Sequence, residues 1–332
     1  MKLSSKISLI ALVLSSGSAF AADLPSRKEA IVPVAPPPTW TGFYAGLNAG
    51  GGIGGSNNVN TTANAYDPFA AFYPTWTNAS GAVIPNLNGT FGAIQAGNTG
   101  NTSMNMGGFI GGGQVGYNYQ WGTNIVAGIE ADIQGSTIGG SGQYSGIGID
   151  SYRMGAMNMP HANRQVIGSA NVQGNLDWFG TVRGRIGYLV TPNLLVFGTG
   201  GLTYGGATAN ASYTSVTSWI NTGMIKDYTQ VGWGNGNASN TLVGWNAGGG
   251  LEWMFMQNWS VKAEAFYYNL GNLNMNGYAV TPASGGAYQM GRVVPDSQVI
   301  YPNTRLSYNG VIARAGVNYH FNWGSSPVVA KF

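Results

Sequence analysis

From Val115 to Ile133 the chain reads VGYNYQWGTNIVAGIEADI, and this stretch decides the fold. Val115, Tyr117, Tyr119 and Trp121 share one parity, joined upstream by Phe109; Gln114, Asn118 and Gln120 take the other. After Gly122-Thr123-Asn124 the alternation resumes, with Ile125, Ala127, Ile129, Ala131 and Ile133 set against Gly128, Glu130, Asp132 and Gln134. A period of two marks a strand whose faces meet different environments, and two such runs around a short turn form an antiparallel hairpin.

The same pattern recurs on either side. Phe43, Ala45, Leu47 and Ala49 alternate with Tyr44, Gly46, Asn48 and Gly50. Leu176, Trp178, Val182, Ile186 and Tyr188 are read as the apolar face of a strand whose other face holds Asp177, Thr181, Arg183 and Arg185. Thr191-Pro192-Asn193 turns into a strand from Leu194 to Tyr204, whose parity stays unassigned. Val243, Trp245, Ala247, Leu251, Trp253 and Phe255 oppose Asn246 and Glu252. Beyond Gln257-Asn258, Trp259, Val261, Ala263, Ala265 and Tyr267 oppose Ser260, Lys262 and Glu264. Val311, Ala313, Ala315, Val317, Tyr319 and Phe321 oppose Arg314, Asn318 and His320.

Eight such strands, each of the roughly 10 residues needed to cross a bilayer at a tilt, are expected. Three connections are tight turns, whereas four are long, at 52–106, 137–174, 205–241 and 271–306. The expected fold is all-β: an eight-stranded antiparallel transmembrane β-barrel over 40–321, with four long extracellular loops and three short periplasmic turns.

Composition points the same way. Only 8% of residues are charged, against about 25% in an ordinary soluble domain. Glycine occurs 54 times, 12% of residues are aromatic and 44% are hydrophobic, yet mean hydropathy is −0.01. Past the N-terminus no apolar run approaches the roughly 20 residues of a helical span. A soluble lipocalin-like barrel would turn its polar face outward and carry more surface charge. An apolar outside against lipid and a polar inside fit better.

Lys2 and Lys6, the apolar run Ile7 to Leu14 and Ala19-Phe20-Ala21 form a secretory signal peptide over 1–21, with cleavage expected after Ala21. Residues 22–39, with Val32-Pro33-Val34-Ala35-Pro36-Pro37-Pro38, read as a Pro-rich periplasmic linker. Residues 322–332 read as a C-terminal extension. The chain has no cysteine, which removes thiol and Cys-based metal chemistry. Its 14 Lys and Arg fall to 12 without Lys2 and Lys6, against 11 Asp and Glu, a balance that does not suggest nucleic acid.

The strand charges fall on the face assigned to the lumen: Glu130, Asp132, Asp177, Glu252 and Glu264 with Arg183, Arg185, Lys262 and Arg314. An eight-stranded barrel is only wide enough for side chains to fill it. Isolated charges there are costly, so an internal ion-pair network is expected; the alternative is a narrow cation path along the acids. Trp40, Tyr119, Trp121, Tyr188, Trp253, Phe255, Trp259, Tyr319 and Phe321 lie near strand ends and are assigned to a periplasmic aromatic girdle. No catalytic, cofactor or metal site is expected. Glu130 and Asp132 would be held ionised beside arginines, and His161 and His320 have no Ser or Cys partner at an interpretable spacing. Gly111-x-Gly113-x-x-Gly116 matches a dinucleotide fingerprint only formally, since no helix or acidic residue follows in the required place.

Trp40-Thr41-Gly42-Phe43-Tyr44-Ala45-Gly46, Leu176-Asp177-Trp178-Phe179-Gly180-Thr181-Val182-Arg183-Gly184-Arg185 and Gly316-Val317-Asn318-Tyr319-His320-Phe321 resemble the alphaproteobacterial outer-membrane immunogenic (porin-like) family of OmpA-like barrels. Ala22-Asp23-Leu24-Pro25 after the signal peptide is also similar. The resemblance implies a Gram-negative outer membrane, a role in envelope integrity or surface exposure, and in some members solute passage or host contact. It brings no catalytic residue. The partners expected are outer-membrane lipid and lipopolysaccharide, the assembly machinery reading the last strand at Phe321 or Phe332, and surfaces met by the loops.

Overall fold

A computed structural model describes residues 39–66, 75–77, 83–85, 92–152, 162–220, 228–281, 287–289, 292–294 and 298–321. The expected signal peptide, nearly all of the linker, His161 and the C-terminal extension lie outside the described residues.

Eight long antiparallel strands close into one barrel. They are β1 (Gly42–Tyr66), β2 (Gly100–Trp121), β3 (Ile125–Tyr152), β4 (Ala162–Thr191), β5 (Leu194–Ile220), β6 (Tyr228–Met256), β7 (Trp259–Thr281) and β8 (Gln298–Phe321). Each pairs with its neighbours in sequence, and β1 pairs with β8 to close the ring. Full closure leaves no unpaired sheet edge, a condition that lipid imposes on any spanning sheet. Two short hairpins, Thr75–Thr77 with Val83–Pro85 and Ala287–Gln289 with Arg292–Val294, accompany it.

The strands are far longer than a bilayer requires, and much of the four expected loops is strand. β3 alone has 28 residues; at about 3.4 Å per residue and a tilt near 40° it rises roughly 70 Å. The outward apolar band, from Ile125 to Gly135 on β3, takes up only about 25 Å of that height, the thickness of an outer-membrane apolar band. Above it the outward positions turn polar. Gln143 pairs with Asn171, Asn171 with Ser212 and Ser212 with Asn235. The inward positions there are mostly glycine, alanine or apolar, with buried polar residues such as Thr61, Ser215 and Thr304 among them, so the pleat continues where hydropathy contrast between the faces is weak.

The interior departs from a uniformly polar lumen. A single apolar cluster fills the upper barrel, with Ile110, Ile138, Phe179, Phe266, Tyr268 and Leu306 among its members. Within it sits a short helix, α1 (Gly92–Asn98), which buries Ala93, Ile94, Gly97 and Asn98. Its backbone lies directly on the inner wall. A Cβ at Gly148 would stand 2.0 Å from the Ala93 carbonyl oxygen, and one at Gly168 2.4 Å from that of Gly97. Glycine is required at those two places by close approach, not by backbone angle. Asn98 fixes the C-terminal end of α1, its Nδ2 donating to Ile94 O at 2.9 Å and to Ser215 Oγ at 3.1 Å.

The periplasmic end is closed by a second apolar cluster of Trp40, Val126, Leu189, Leu195, Phe197 and Met254. Leu195 and Phe197 point in while Val196 points out. Both faces of β5 are therefore apolar near the turn, which is why its parity could not be read. Trp40, expected in the girdle, is 0% exposed. It precedes β1 and folds under the barrel, where its Nε1 donates to Pro192 O at 3.0 Å and its ring meets His320 edge-on. The other girdle residues lie at the turn end of their strands. Tyr119, Trp121, Tyr188, Trp253, Phe255, Trp259 and Tyr319 are exposed, and Phe321 is half-buried.

Candidate functional site

Between the two apolar clusters lies a layer of charge. Glu130 and Asp132 come from β3, Arg183 and Arg185 from β4, Glu252 from β6, Lys262 and Glu264 from β7, and Arg314 from β8. All eight are buried. A buried charge persists only when paired and hydrogen-bonded, and here four acids meet four bases.

Arg183 is the hub. Its Nη1 and Nη2 both donate to Glu264 at 3.1 Å, the bidentate geometry that a guanidinium favours. Nη2 also reaches Glu130 and lies 3.3 Å from Asp132. Arg314 Nε donates to Glu264 at 2.6 Å and its Nη2 to Asp132 at 2.7 Å. Lys262 Nζ holds both oxygens of Glu130, at 2.7 and 2.9 Å. Arg185 Nη2 donates to Glu252 at 2.5 Å. Neutral donors use other carboxylate sites: Tyr44 OH on Glu130 at 2.6 Å, Thr181 Oγ1 on Asp132 at 2.7 Å and Asn318 Nδ2 on Glu252 at 2.8 Å. Aromatic faces seal the guanidiniums. Phe266 lies 4.8 Å from Arg183 and 5.1 Å from Arg314, and Phe197 lies 4.3 Å from Arg185.

Asp177 is not in this layer. It is exposed, because a bulge between Leu176 and Trp178 shifts the register of β4 against β5. Above the bulge even-numbered residues such as Val172 and Leu176 point in; below it Phe179, Thr181, Arg183 and Arg185 do. One extra residue inverts the facing of everything beyond it. The expected tally of five acids to four bases thus becomes four to four.

Sequence spacing missed a contact between Ser260 and His320. Their side chains lie 2.9 Å apart beside Glu252, although 60 residues separate them in the chain. The inward parity of both residues and the pairing of β7 with β8 bring them together. Ser260 Oγ donates to Glu252 Oε1 at 2.6 Å, so His320 Nε2 supplies the hydrogen in the Ser–His contact. In that arrangement the imidazole is not a base toward the serine, and Glu252 shares its Nε2 side (3.4 Å) and does not orient the far nitrogen. Both side chains are buried over the Trp40 floor. Gly111, Gly113 and Gly116 lie inside β2, far from the strand-to-helix turn that a dinucleotide site needs.

No family model matches the chain. It is 30% identical over 260 residues to the 31 kDa outer-membrane immunogenic protein of Brucella melitensis, covering 78% of this chain and 83% of that one. The protein of the same name from Brucella suis matches equally. Among solved structures, the outer membrane protein OprG of Pseudomonas aeruginosa aligns with a TM-score of 0.32 and 9% identity, over 85% of this chain and 96% of that one. The attachment invasion locus protein Ail of Yersinia pestis aligns at 0.23 and 9%, over 82% and 99%. The outer membrane protease OmpT of Escherichia coli aligns at 0.20 and 11%, over 83% and 97%. Likenesses this distant carry no argument about activity.

Proposed function

The chain belongs to the outer-membrane immunogenic protein family and is an outer-membrane surface protein, and on that premise we propose that it is a plugged structural barrel that supports envelope integrity. The observation that carries this reading is the buried layer of four acids and four bases, capped above and below by apolar clusters. Such a layer holds opposite walls together across the lumen and occupies the cross-section that a solute would need. The reading is non-catalytic, since Ser260, His320 and Glu252 lack the geometry of a relay. Lipopolysaccharide and outer-membrane lipid are its proposed surroundings, and the last strand, ending at Phe321, is the proposed contact for the assembly machinery.

The test is single-channel conductance of the refolded protein in a planar bilayer, beside Arg183→Ser/Arg185→Ser. A silent wild type and a conducting variant support the plug. Reproducible wild-type steps would replace it with a narrow solute channel.

A further inference from the structure

The outer surface of the barrel carries a second apolar tier, well above the one in the membrane. Ile147 pairs with Ile167, Ile167 with Val216 and Val216 with Val231, all on the outward face. Two residues along β6 from Val231, Trp233 pairs with Val280, Val280 with Val299 and Val299 with Tyr66. The row is continuous over seven of the eight strands; only β2, which starts at Gly100 opposite Thr61, stops short of it. Ile149, Tyr278 and Tyr301 widen it, and the last two rings lie 5.8 Å apart. Trp233 is 64% exposed and Ile149 66%.

Ile147 lies twelve positions beyond Gly135 on β3, which places the rim roughly 30 Å above the membrane band. The intervening outward positions form a collar of mainly Asn, Ser, Thr and Gln that also carries the exposed charges Asp177 and Arg305, so the rim is not an upward extension of the lipid-facing band. Soluble surfaces rarely expose contiguous apolar area on this scale without a use for it.

The shape of the rim selects its occupant. A contact between two copies or with a folded partner uses one side of a barrel and leaves the rest of such a ring in water. What covers a nearly complete ring must flow around it. Its depth is two outward residues on β3, β6, β7 and β8 and one on β1, β4 and β5, about 5–10 Å, the depth to which interfacial elements enter the headgroup and acyl boundary. Tyrosine and tryptophan among aliphatic residues are the side chains that favour this boundary. Among the residues whose side chains are described, none in the rim is charged, which complements a zwitterionic surface and offers nothing to an anionic one.

We infer that the upper rim inserts into the facing leaflet of a second, apposed membrane of zwitterionic lipid, so that the barrel bridges two lipid surfaces across its polar collar. The test places the refolded protein in phosphatidylcholine vesicles on a support and adds protein-free phosphatidylcholine vesicles with brominated acyl chains. Capture of the added vesicles is expected, with quenching of tryptophan fluorescence that Trp233→Phe removes while capture stays. Ile147→Thr/Ile167→Thr/Trp233→Thr should lower capture about tenfold through lost apolar burial. Heat-dependent gel mobility reports that each variant is still a folded barrel. Added salt and added phosphatidylglycerol should leave capture unchanged. Failure of the wild type to capture, or undiminished capture by the folded triple variant, overturns the inference. So does capture that needs protein in both vesicle sets, which would make the rim a contact between copies, or capture abolished by salt.

Discussion

Asn258 and His320 are joined twice: the His320 backbone N–H donates to Asn258 O at 2.8 Å, and Asn258 Nδ2 donates to His320 O at 2.7 Å. The other two periplasmic turns repeat the device. Asn124 is linked in the same way to Leu189, and Asn193 to Met254. Each tight turn thus ends in an asparagine that clasps the neighbouring strand, and the three clasps tie the turns and the end of β8 in series along the periplasmic rim.

Replacing Asn258 by Ala removes the side-chain half of a clasp and leaves the backbone half. The expected cost is about 1 kcal/mol of unfolding free energy. Urea titration of the refolded barrel measures it, and Asn258→Ala/Asn193→Ala should approach the sum because the two sites share no partner.

Removing one charge from the lumen layer should cost far more. Arg183→Met strips Glu264 of its bidentate partner, leaves it chiefly to Arg314 and sets four buried acids against three bases, a loss of about 3–5 kcal/mol. Adding Glu264→Met should recover part of that loss because it restores the balance at three acids and three bases. A double variant no more stable than Arg183→Met in urea would show that these carboxylates are balanced by other groups.

Asp177→Asn should change stability by less than about 0.5 kcal/mol, because the side chain is exposed at the bulge. Glu130→Gln, in the same assay, should lose several times as much. Equal losses would return Asp177 to the lumen layer.

Gly148→Val should expel α1 while leaving the barrel closed, since the new side chain would occupy the space of the Ala93 carbonyl. Hydrogen exchange at 92–98 should rise while the strand amides near the girdle stay protected. Protection of α1 in this variant would mean that the inner wall yields to the bulk instead.

The barrel, its three tight turns and eight of the nine lumen charges were legible from alternation alone, because near the membrane the two faces differ sharply in polarity. Asp177 was misplaced because a bulge adds one residue without altering the local composition. The upper strands read as loops in the sequence because there an outward Ser or Gln faces an inward Gly, and residues such as Ser141 and Gly142 give little contrast in hydropathy. α1 carries two glycines in seven residues and no apolar period long enough to announce a helix. Closeness to a strand end places Trp40 in the girdle, yet a residue just outside a strand is free to turn beneath the barrel.

The lumen layer also bears on how the ring is completed. β1 and β8 meet along the seam that closes the barrel, and each sends a side chain across the lumen to β3. Tyr44 of β1 donates to Glu130, and Arg314 of β8 donates to Asp132. A sheet in which those two strands have not yet met carries the same four acids and four bases, with Arg314 already beside Glu264 on the paired strand. The two bonds that cross the lumen to Glu130 and Asp132 are unmade, however, and each carboxylate lacks a partner in a medium that penalises this. Joining the seam supplies those partners. Closure is therefore registered electrostatically inside the molecule at the same moment that the last backbone ladder forms, which makes an unclosed intermediate intrinsically poor at entering lipid.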